Sequence, residues 1–234
     1  MEYEKKLEEI RSVLGKELCI RGLELGAIRL NAKQPFLWAS GYRMPIYNDN
    51  RTFLRDPQSR KRIAAAFEAV LSILNISPQW IAGTATAGIP HAATLADAMA
   101  LPMCYVRSGS KGHGLQKAVE GLGRESSFHQ DQVVLIEDLI STGGSSINAV
   151  EALRDAGAQV PCCLAIFSYG LDKAEDAFSQ LDPPCRVIPI ILYDDLIALA
   201  VELGYIEPQE EHALRAWRAD PFGWGEAHGF PKET

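Results

Sequence analysis

The chain has 234 residues, of which 47% are hydrophobic and 23% charged, a composition typical of a globular protein that buries a substantial core. Acidic side chains outnumber basic ones 30 to 23, and the net charge of -7 argues against a general electrostatic grip on nucleic acid or an anionic membrane. No apolar run approaches the roughly 20 residues of a membrane span, and the first residues contain no apolar signal segment. We therefore expect a cytoplasmic protein without nucleic-acid or membrane partners, in which any anionic ligand is held locally.

The five cysteines include no Cys-x-x-Cys pair and no Cys/His spacing typical of zinc, which predicts reduced thiols in the core. No linker, low-complexity tract or internal repeat divides the chain. We therefore expect one domain over residues 1–234, with a small N-terminal segment to about residue 55 and an irregular tail from about residue 207. In that tail, Trp217 and Trp224 are expected to pack against the domain.

In chain order, the first clear element is a helix that begins at Asp56-Pro57, where an N-cap and a first-turn proline precede apolar residues at helical spacing. Short apolar runs then alternate with helical patterns. Strands are predicted at 80–82, 102–106, 133–136, 160–167 and 187–190, and helices at 89–99, 145–156, 173–179, 194–203 and 208–218. Gly157 and Gly204 are expected to end the helices that precede them.

Strands that alternate with helices and read as continuous apolar runs are typical of a parallel sheet covered by helices on both faces. The sequence therefore predicts an α/β fold. Ligands of such sheets bind at the carboxyl ends of the strands, so polar residues that follow a predicted strand are the candidates for a functional site.

The most informative stretch is QVVLIEDLISTGGSS, at residues 132–146. Its apolar residues predict a buried strand, and Glu137 and Asp138 are expected where that strand leaves the sheet. Glycines allow close backbone approach, and amide groups at a helix start bind phosphate. Hydroxyl side chains add further donors, so the sequence predicts a phosphate site. Its residues are Ser141, Thr142, Gly143, Gly144 and Ser145.

Two carboxylates beside a phosphate would repel it unless they served another part of the same ligand, and vicinal sugar hydroxyls are suitable donors to carboxylates. The expected ligand is therefore a sugar phosphate. An ordinary acidic loop with two glycines is the structural alternative. The chain contains no G-x-x-x-x-G-K-[ST] and no G-x-G-x-x-G at the first strand, which disfavours P-loop and dinucleotide sites.

The run VVLIEDLISTGGS resembles the phosphoribosyl pyrophosphate signature of type I phosphoribosyltransferases. That resemblance implies the type I fold, with a parallel sheet, helices on both faces and a small N-terminal hood segment. It also implies that Glu137 and Asp138 hold the ribose hydroxyls and that residues 141–145 hold the 5-phosphate. Leu139 and Ile140 lie between them in the same binding segment.

Residues 107–124 form a glycine-rich stretch with several cations, which we expect to be mobile. A solvated surface loop is the simpler interpretation. The pattern R-x-x-x-K-x-H-G nevertheless resembles the catalytic loop of orotate phosphoribosyltransferases, and the resemblance implies that Arg107, Lys111 and His113 close over pyrophosphate, usually in the neighbouring subunit's site. Ser108 stands where many members of that family have lysine.

Residues 36–51 resemble the base-covering segment of the same family through an F-x-x-x-S-G…P-x-Y core, although a structural hairpin is the alternative for such an aromatic cluster. This resemblance points to orotate as the acceptor and implies contacts from Tyr47 and Ser141. Ala39 and Ala87 stand where one branch of the family has lysine, and a base-contacting arginine of that branch, near Tyr169, is absent here. The orotate carboxylate must therefore find other donors.

The activity implied by the resemblance is transfer of a phosphoribosyl group from phosphoribosyl pyrophosphate to orotate. Mg²⁺ is the implied cofactor, held mainly by substrate oxygens and water with no direct protein ligand, and a homodimer is the implied assembly. Two alternatives remain at this stage. One is a phosphoribosyltransferase for a purine or uracil, and the other is a non-catalytic sensor of phosphoribosyl pyrophosphate.

Overall fold

The computed structural model describes residues 2–107, 118–123 and 127–233. Lys111, His113 and Ser108 therefore lie outside the described residues. A π-helical turn, Arg11–Gly15, joins the first two helices, and a 3₁₀ helix, Asn50–Arg55, precedes the third. The helices are α1 (Glu2–Ile10), α2 (Lys16–Leu25), α3 (Pro57–Leu74), α4 (Gly88–Met99), α5 (Gly144–Asp155), α6 (Asp172–Ser179), α7 (Tyr193–Glu202), α8 (Pro208–Ala219) and α9 (Trp224–Ala227).

A six-stranded sheet with the order β10-β9-β8-β5-β6-β7 forms the centre of the fold, and all its strands are parallel except β7. Two antiparallel pairs, β1 with β4 and β2 with β3, lie in the N-terminal segment. The strands are β1 (Ile28–Leu30), β2 (Phe36–Leu37), β3 (Arg43–Met44), β4 (Ile46–Asn48), β5 (Trp80–Thr84), β6 (Met103–Val106), β7 (Val119–Glu120), β8 (Val133–Ile140), β9 (Cys162–Ser168) and β10 (Arg186–Leu192).

Apolar residues on both sides of β8 explain why helices cover the sheet twice. Successive side chains of a strand point to opposite faces. Val134 and Ile136 join one core cluster, together with residues of α2, α3, α4 and α7, whereas Val133 and Leu135 join the other, with residues of α5 and α6. The predicted α/β architecture is confirmed, with the predicted strands and helices present at shifted bounds.

One predicted boundary was wrong in a way that matters for the site. The strand expected at 133–136 extends to Ile140, so Glu137 and Asp138 lie within β8 rather than beyond it. Pairing with β9 continues through this segment, with Ile140 opposite Ser168. The apolar run covers only the most buried part of the strand. Hydrogen-bonded pairing with β9 extends the strand through the polar residues that follow.

The smaller sequence predictions about packing are also confirmed. All five cysteines are free and buried. Gly157 and Gly204 follow helix ends with φ of +85° and +73°, values at which a side chain is disfavoured. Trp217 and Trp224 are buried, at 1% and 2% exposure. Among the described residues, no helix is long and apolar enough to span a membrane.

The tail packs on the N-terminal segment as well as on the sheet. Trp217 of α8 donates to the Met44 sulfur over 2.9 Å, and its ring lies 6.2 Å from that of Trp38. Further along the chain, Phe222 contacts Tyr42 with ring centroids 5.2 Å apart. The tail therefore packs against β3 and against the turn between β2 and β3.

His91 is a buried titratable group that the fold holds in its neutral form. It is 1% exposed, and neither ring nitrogen has a hydrogen-bond partner among the described residues. Burial, with a smaller contribution from the charge of Arg60, lowers the pKa of His91 to about 4. The unfolded chain therefore binds a proton more readily than the folded chain below the ordinary histidine pKa.

We predict that acidification from pH 7 to pH 5 lowers the free energy of unfolding through His91 by about 2 kcal/mol, because the unfolded imidazole gains a proton that the buried one does not. The measurement is urea unfolding across this pH range for the parent and for His91→Leu. The parent should lose more stability on acidification than the variant. Parallel pH profiles for the two proteins would contradict this assignment.

Candidate active site at the carboxyl edge of the sheet

Adjacent strand ends bring the candidate site residues to one edge of the sheet. The loop after β8 lies beside the turn after β9, where the Tyr169 amide donates to the Ile140 carbonyl over 3.1 Å. On the other side of β8, the loop after β5 leads into α4, and Arg107 follows β6 one strand further out. The predicted signature residues and residues 85–87, which join β5 to α4, therefore lie at one edge of the sheet.

The loop from Ser141 to Ser145 leads directly into the start of α5. Gly143 has φ +80° and turns the chain directly into α5, whose first turn begins at Gly144. Ser141 and Thr142 are half-buried, whereas Gly144 and Ser145 are exposed. The first amides of a helix have no partner within the helix, so they are directed at whatever occupies this corner.

Glu137 ties β8 to the start of α5. Its side chain is 5% exposed and accepts hydrogen bonds from Ser146 Oγ at 2.9 Å and Ser145 Oγ at 3.3 Å. The same carboxyl group accepts from the Asp138 amide at 3.0 Å. The carboxylate therefore fixes the helix start that follows residues 141–145, the predicted phosphate loop. The sequence analysis did not predict this contact.

Asp138 lies at the same corner and is half-buried. Burial raises the pKa of Asp138, and the like charge of Glu137 and a direct contact with its carboxyl group raise it further. The charge of Arg51 acts in the opposite direction. Asn50 Nδ2 donates to the Asp138 carbonyl over 2.6 Å and so anchors this residue to the N-terminal segment. A ligand that supplies hydroxyl donors would favour the ionised carboxylate.

The start of α4, which follows residues 85–87, lies close to β8. A Cβ added at Gly88 would lie 2.5 Å from the Ile136 carbonyl oxygen and 2.6 Å from Thr84 Oγ1, so only glycine allows this approach. Thr84 Oγ1 donates to the same carbonyl over 3.2 Å. Ala87, which precedes α4, is half-buried, and Ala39 is exposed in the turn between β2 and β3.

Two other predicted site residues, Arg107 and Tyr47, lie outside the segment that joins β8 to α5. Arg107 is exposed, and its Nη1 donates to Glu120 Oε1 over 3.4 Å. Tyr47 lies in β4, where the guanidinium of Arg29 lies 4.6 Å from its ring centroid and the Phe36 ring lies 6.0 Å away. The aromatic residues of the N-terminal segment therefore pack among themselves near the site.

Among the residues that the structure describes, no group of three or more His, Cys, Asp or Glu side chains is placed to hold a metal ion. The half-buried carboxylate of Asp138 presents hard oxygens, the acceptor type that suits the water shell of Mg²⁺. This fits a magnesium ion held mainly by a phosphorylated substrate and water.

This chain is similar in sequence to proteins of a known family. The family model described as phosphoribosyl transferase domain matches residues 50–204. Orotate phosphoribosyltransferase of Bacillus caldolyticus is 44% identical over 209 residues, covering 89% of this chain and 98% of the relative. That of Coxiella burnetii is 43% identical, covering 86% and 94%. The chain belongs to the orotate phosphoribosyltransferase family.

Solved structures agree with this assignment and confirm the predicted type I fold. Orotate phosphoribosyltransferase from Aeropyrum pernix is 28% identical, with a TM-score of 0.66, over 81% of this chain and 99% of that chain. UMP synthase of Leishmania donovani is 27% identical, with a TM-score of 0.70, and here 87% of this chain matches 42% of a longer chain.

We predict that Ser146→Ala lowers the free energy of unfolding by about 1.5–3 kcal/mol, because it removes a buried hydroxyl that donates to the Glu137 carboxylate. Ser145→Ala is the matched control, since it removes the longer, more exposed bond to the same group. Urea unfolding of both variants at neutral pH is the measurement. A loss in Ser145→Ala equal to or larger than that in Ser146→Ala would contradict the proposed anchoring role.

Proposed function

We propose that the chain transfers the phosphoribosyl group of phosphoribosyl pyrophosphate to orotate, giving orotidine 5-phosphate and pyrophosphate in pyrimidine biosynthesis. The observation that carries this proposal is the corner at the end of β8. There, Asp138 and the amides at the start of α5 lie together, within a sequence 44% identical to an orotate phosphoribosyltransferase over nearly its full length.

In this proposal, different residues of the corner bind different parts of one ligand. The 5-phosphate binds the backbone amides and hydroxyls of residues 141–145, where the helix start favours an anion. The ribose hydroxyls donate to Asp138 and Glu137 in this proposal. Both oxygens of Glu137 already accept hydrogen bonds within the chain and its side chain is buried, so Asp138 is the more accessible acceptor of the two. Leu139 and Ile140 carry the strand between these groups and keep their spacing fixed.

The reaction breaks the bond between ribose C1 and a pyrophosphate oxygen and forms a bond from C1 to a ring nitrogen of orotate. The ring nitrogen of orotate is acidic enough that no strong protein base is needed. The barrier comes from separating an anionic leaving group from a sugar that becomes oxocarbenium-like. Fixed cations near the pyrophosphate oxygens lower that barrier by stabilising the charge as it develops.

Arg107, Lys111 and His113 supply those cations in our proposal. Arg107 follows β6 at the carboxyl edge and is exposed, and its side chain donates to Glu120 over 3.4 Å. Lys111 and His113 lie outside the described residues and are assigned from the R-x-x-x-K-x-H-G pattern. We further propose a homodimer in which this loop acts in the neighbouring subunit's site, with closure excluding water from C1.

Mg²⁺, held mainly by substrate oxygens and water, would supply further charge stabilisation to the leaving group. Asp138 is the protein group best placed to reach its water shell, since the carboxyl group lies at the ribose end of the corner. The proposed orotate contacts are Ser141, which begins the loop, and Tyr47 of the N-terminal segment. The whole chain acts as one cytoplasmic phosphoribosyltransferase domain, with residues 1–55 covering the base.

The test of the proposed function is pyrophosphate release from phosphoribosyl pyrophosphate, measured with orotate, uracil, adenine or hypoxanthine as the acceptor, each with and without Mg²⁺. We expect release that depends on both orotate and Mg²⁺, and at least about a hundredfold lower kcat/KM for the other bases. Faster release with a purine or uracil would favour another acceptor. Tight binding of phosphoribosyl pyrophosphate without release for any base would favour a sensor.

A further inference from the structure

A second wall of the site comes from the C-terminal tail. A cavity of about 660 Å³ adjoins the phosphate loop at Thr142 and extends along the turn after β9 to the end of α8. Charged residues from three helices line this cavity. The groups are Asp172 and Lys173 at the start of α6, Asp194 at the start of α7, and Arg215 and Arg218 of α8.

Arg218 of α8 contacts the turn that follows β9. Its Nη1 lies 3.3 Å from the position that a Cβ on Gly170 would occupy, so the guanidinium rests directly on the turn after β9. The same nitrogen donates to Asp194 Oδ2 over 2.8 Å, the one side-chain hydrogen bond of Arg218 within the described part of the chain. A guanidinium has five N–H donors, so most of this group remains available to a ligand.

Arg215, one helical turn earlier, pairs with more carboxylates than Arg218 does. Its guanidinium contacts Glu211 at 2.8 Å and Asp194 at 3.2 Å, so two carboxylates already balance its charge. Arg218 shares only Asp194 with it. Of the two arginines, Arg218 is therefore the one with both the position and the free donors to bind an incoming anion.

The tail holds Arg218 in place through its neighbour, Trp217. That indole is 1% exposed, and its ring lies 5.2 Å from Tyr169 and 5.3 Å from Tyr193. The Tyr193 hydroxyl donates to the Leu214 carbonyl over 3.0 Å, which ties α8 to α7. An arginine on a helix fixed this firmly loses little freedom when it binds a ligand.

The cavity connects Arg218 with two parts of the site. Tyr169 donates its amide to the Ile140 carbonyl, so Gly170 lies alongside the start of the loop of residues 141–145, and Thr142 of that loop lines the cavity. Phe222 lines the same cavity and contacts Tyr42 of the N-terminal segment, with ring centroids 5.2 Å apart. The cavity therefore lies between the loop that the proposed function assigns to the phosphate and the segment that it assigns to the base.

We infer that Arg218 binds the carboxylate of the acceptor base, an inference that rests on the proposed function. A guanidinium matches a carboxylate in a two-bond planar contact, and Asp194 leaves only part of its charge balanced. The 5-phosphate is the other anion in reach, but the amides at the start of α5 already serve it. The tail thereby contributes to selection of a base that carries a carboxylate.

The test compares Arg218→Gln with Arg186→Gln, a matched loss of charge at the opposite, amino-terminal end of β10. KM is measured for orotate at saturating phosphoribosyl pyrophosphate, and for phosphoribosyl pyrophosphate at saturating orotate. Arg218→Gln should raise the KM for orotate by about tenfold or more, with the other KM within about twofold of the parent. Arg186→Gln should leave both values within about twofold.

An unchanged KM for orotate in Arg218→Gln would overturn the inference, and so would a rise confined to phosphoribosyl pyrophosphate, which would assign Arg218 to the phosphate. Where the glutamine variant fails to fold, Arg218→Lys gives the same comparison, since it keeps the charge and loses the planar fork; we expect a rise of about threefold or more for orotate alone. A parent without orotate-dependent turnover would instead refute the proposed function.

Discussion

The structure depends on a buried carboxylate at the junction of β8 and α5. Glu137 accepts hydrogen bonds from Ser146 and Ser145, so a charge inside the sheet edge fixes the first turn of the following helix. The position of this helical turn fixes the direction of the backbone amides in residues 141–145, the predicted phosphate loop. A buried charge is costly unless it is hydrogen-bonded, which gives this junction one strongly preferred geometry.

The same junction brings the other parts of the site into register. Gly88 allows α4 to approach the Ile136 carbonyl, so a second helix start lies beside the first. Asn50 links the N-terminal segment to Asp138. On the far side, Tyr169 joins the turn after β9 to Ile140, and the aromatic contacts of Trp217 bring the tail to that turn. These contacts bring segments that are distant in the chain to the carboxyl end of β8.

Much of the fold and the centre of the site follow from local sequence patterns. The β8 and α5 segments were predicted because their apolar runs and glycine loop are contiguous, and Ser141 and Gly143 lie as expected after the strand. The strand end was misplaced because ladder pairing, rather than hydrophobicity, decides where a strand stops. Glu137 as the anchor of α5 was missed, since a side-chain contact within a turn leaves no periodic signal.

The tail shows the limit of sequence reasoning most clearly. The burial of Trp217 was predicted from its residue type alone, but its neighbour Arg218 gave no sign of a role. The proximity of Arg218 to Gly170 joins residues about fifty positions apart through packing of α8 on α7 and on the N-terminal segment. The missing arginine near Tyr169 was the one available clue, because it implied that another cation must face the acceptor's carboxylate.

Calorimetric titration of the purified, folded chain with phosphoribosyl pyrophosphate in magnesium buffer tests the central claim most directly. The account predicts saturable binding with a stoichiometry of about one per chain, and binding at least about tenfold weaker in Asp138→Asn, which removes the carboxylate at the ribose end of the corner. Absence of binding by the folded parent would contradict the account, and so would equal affinity in the parent and the variant.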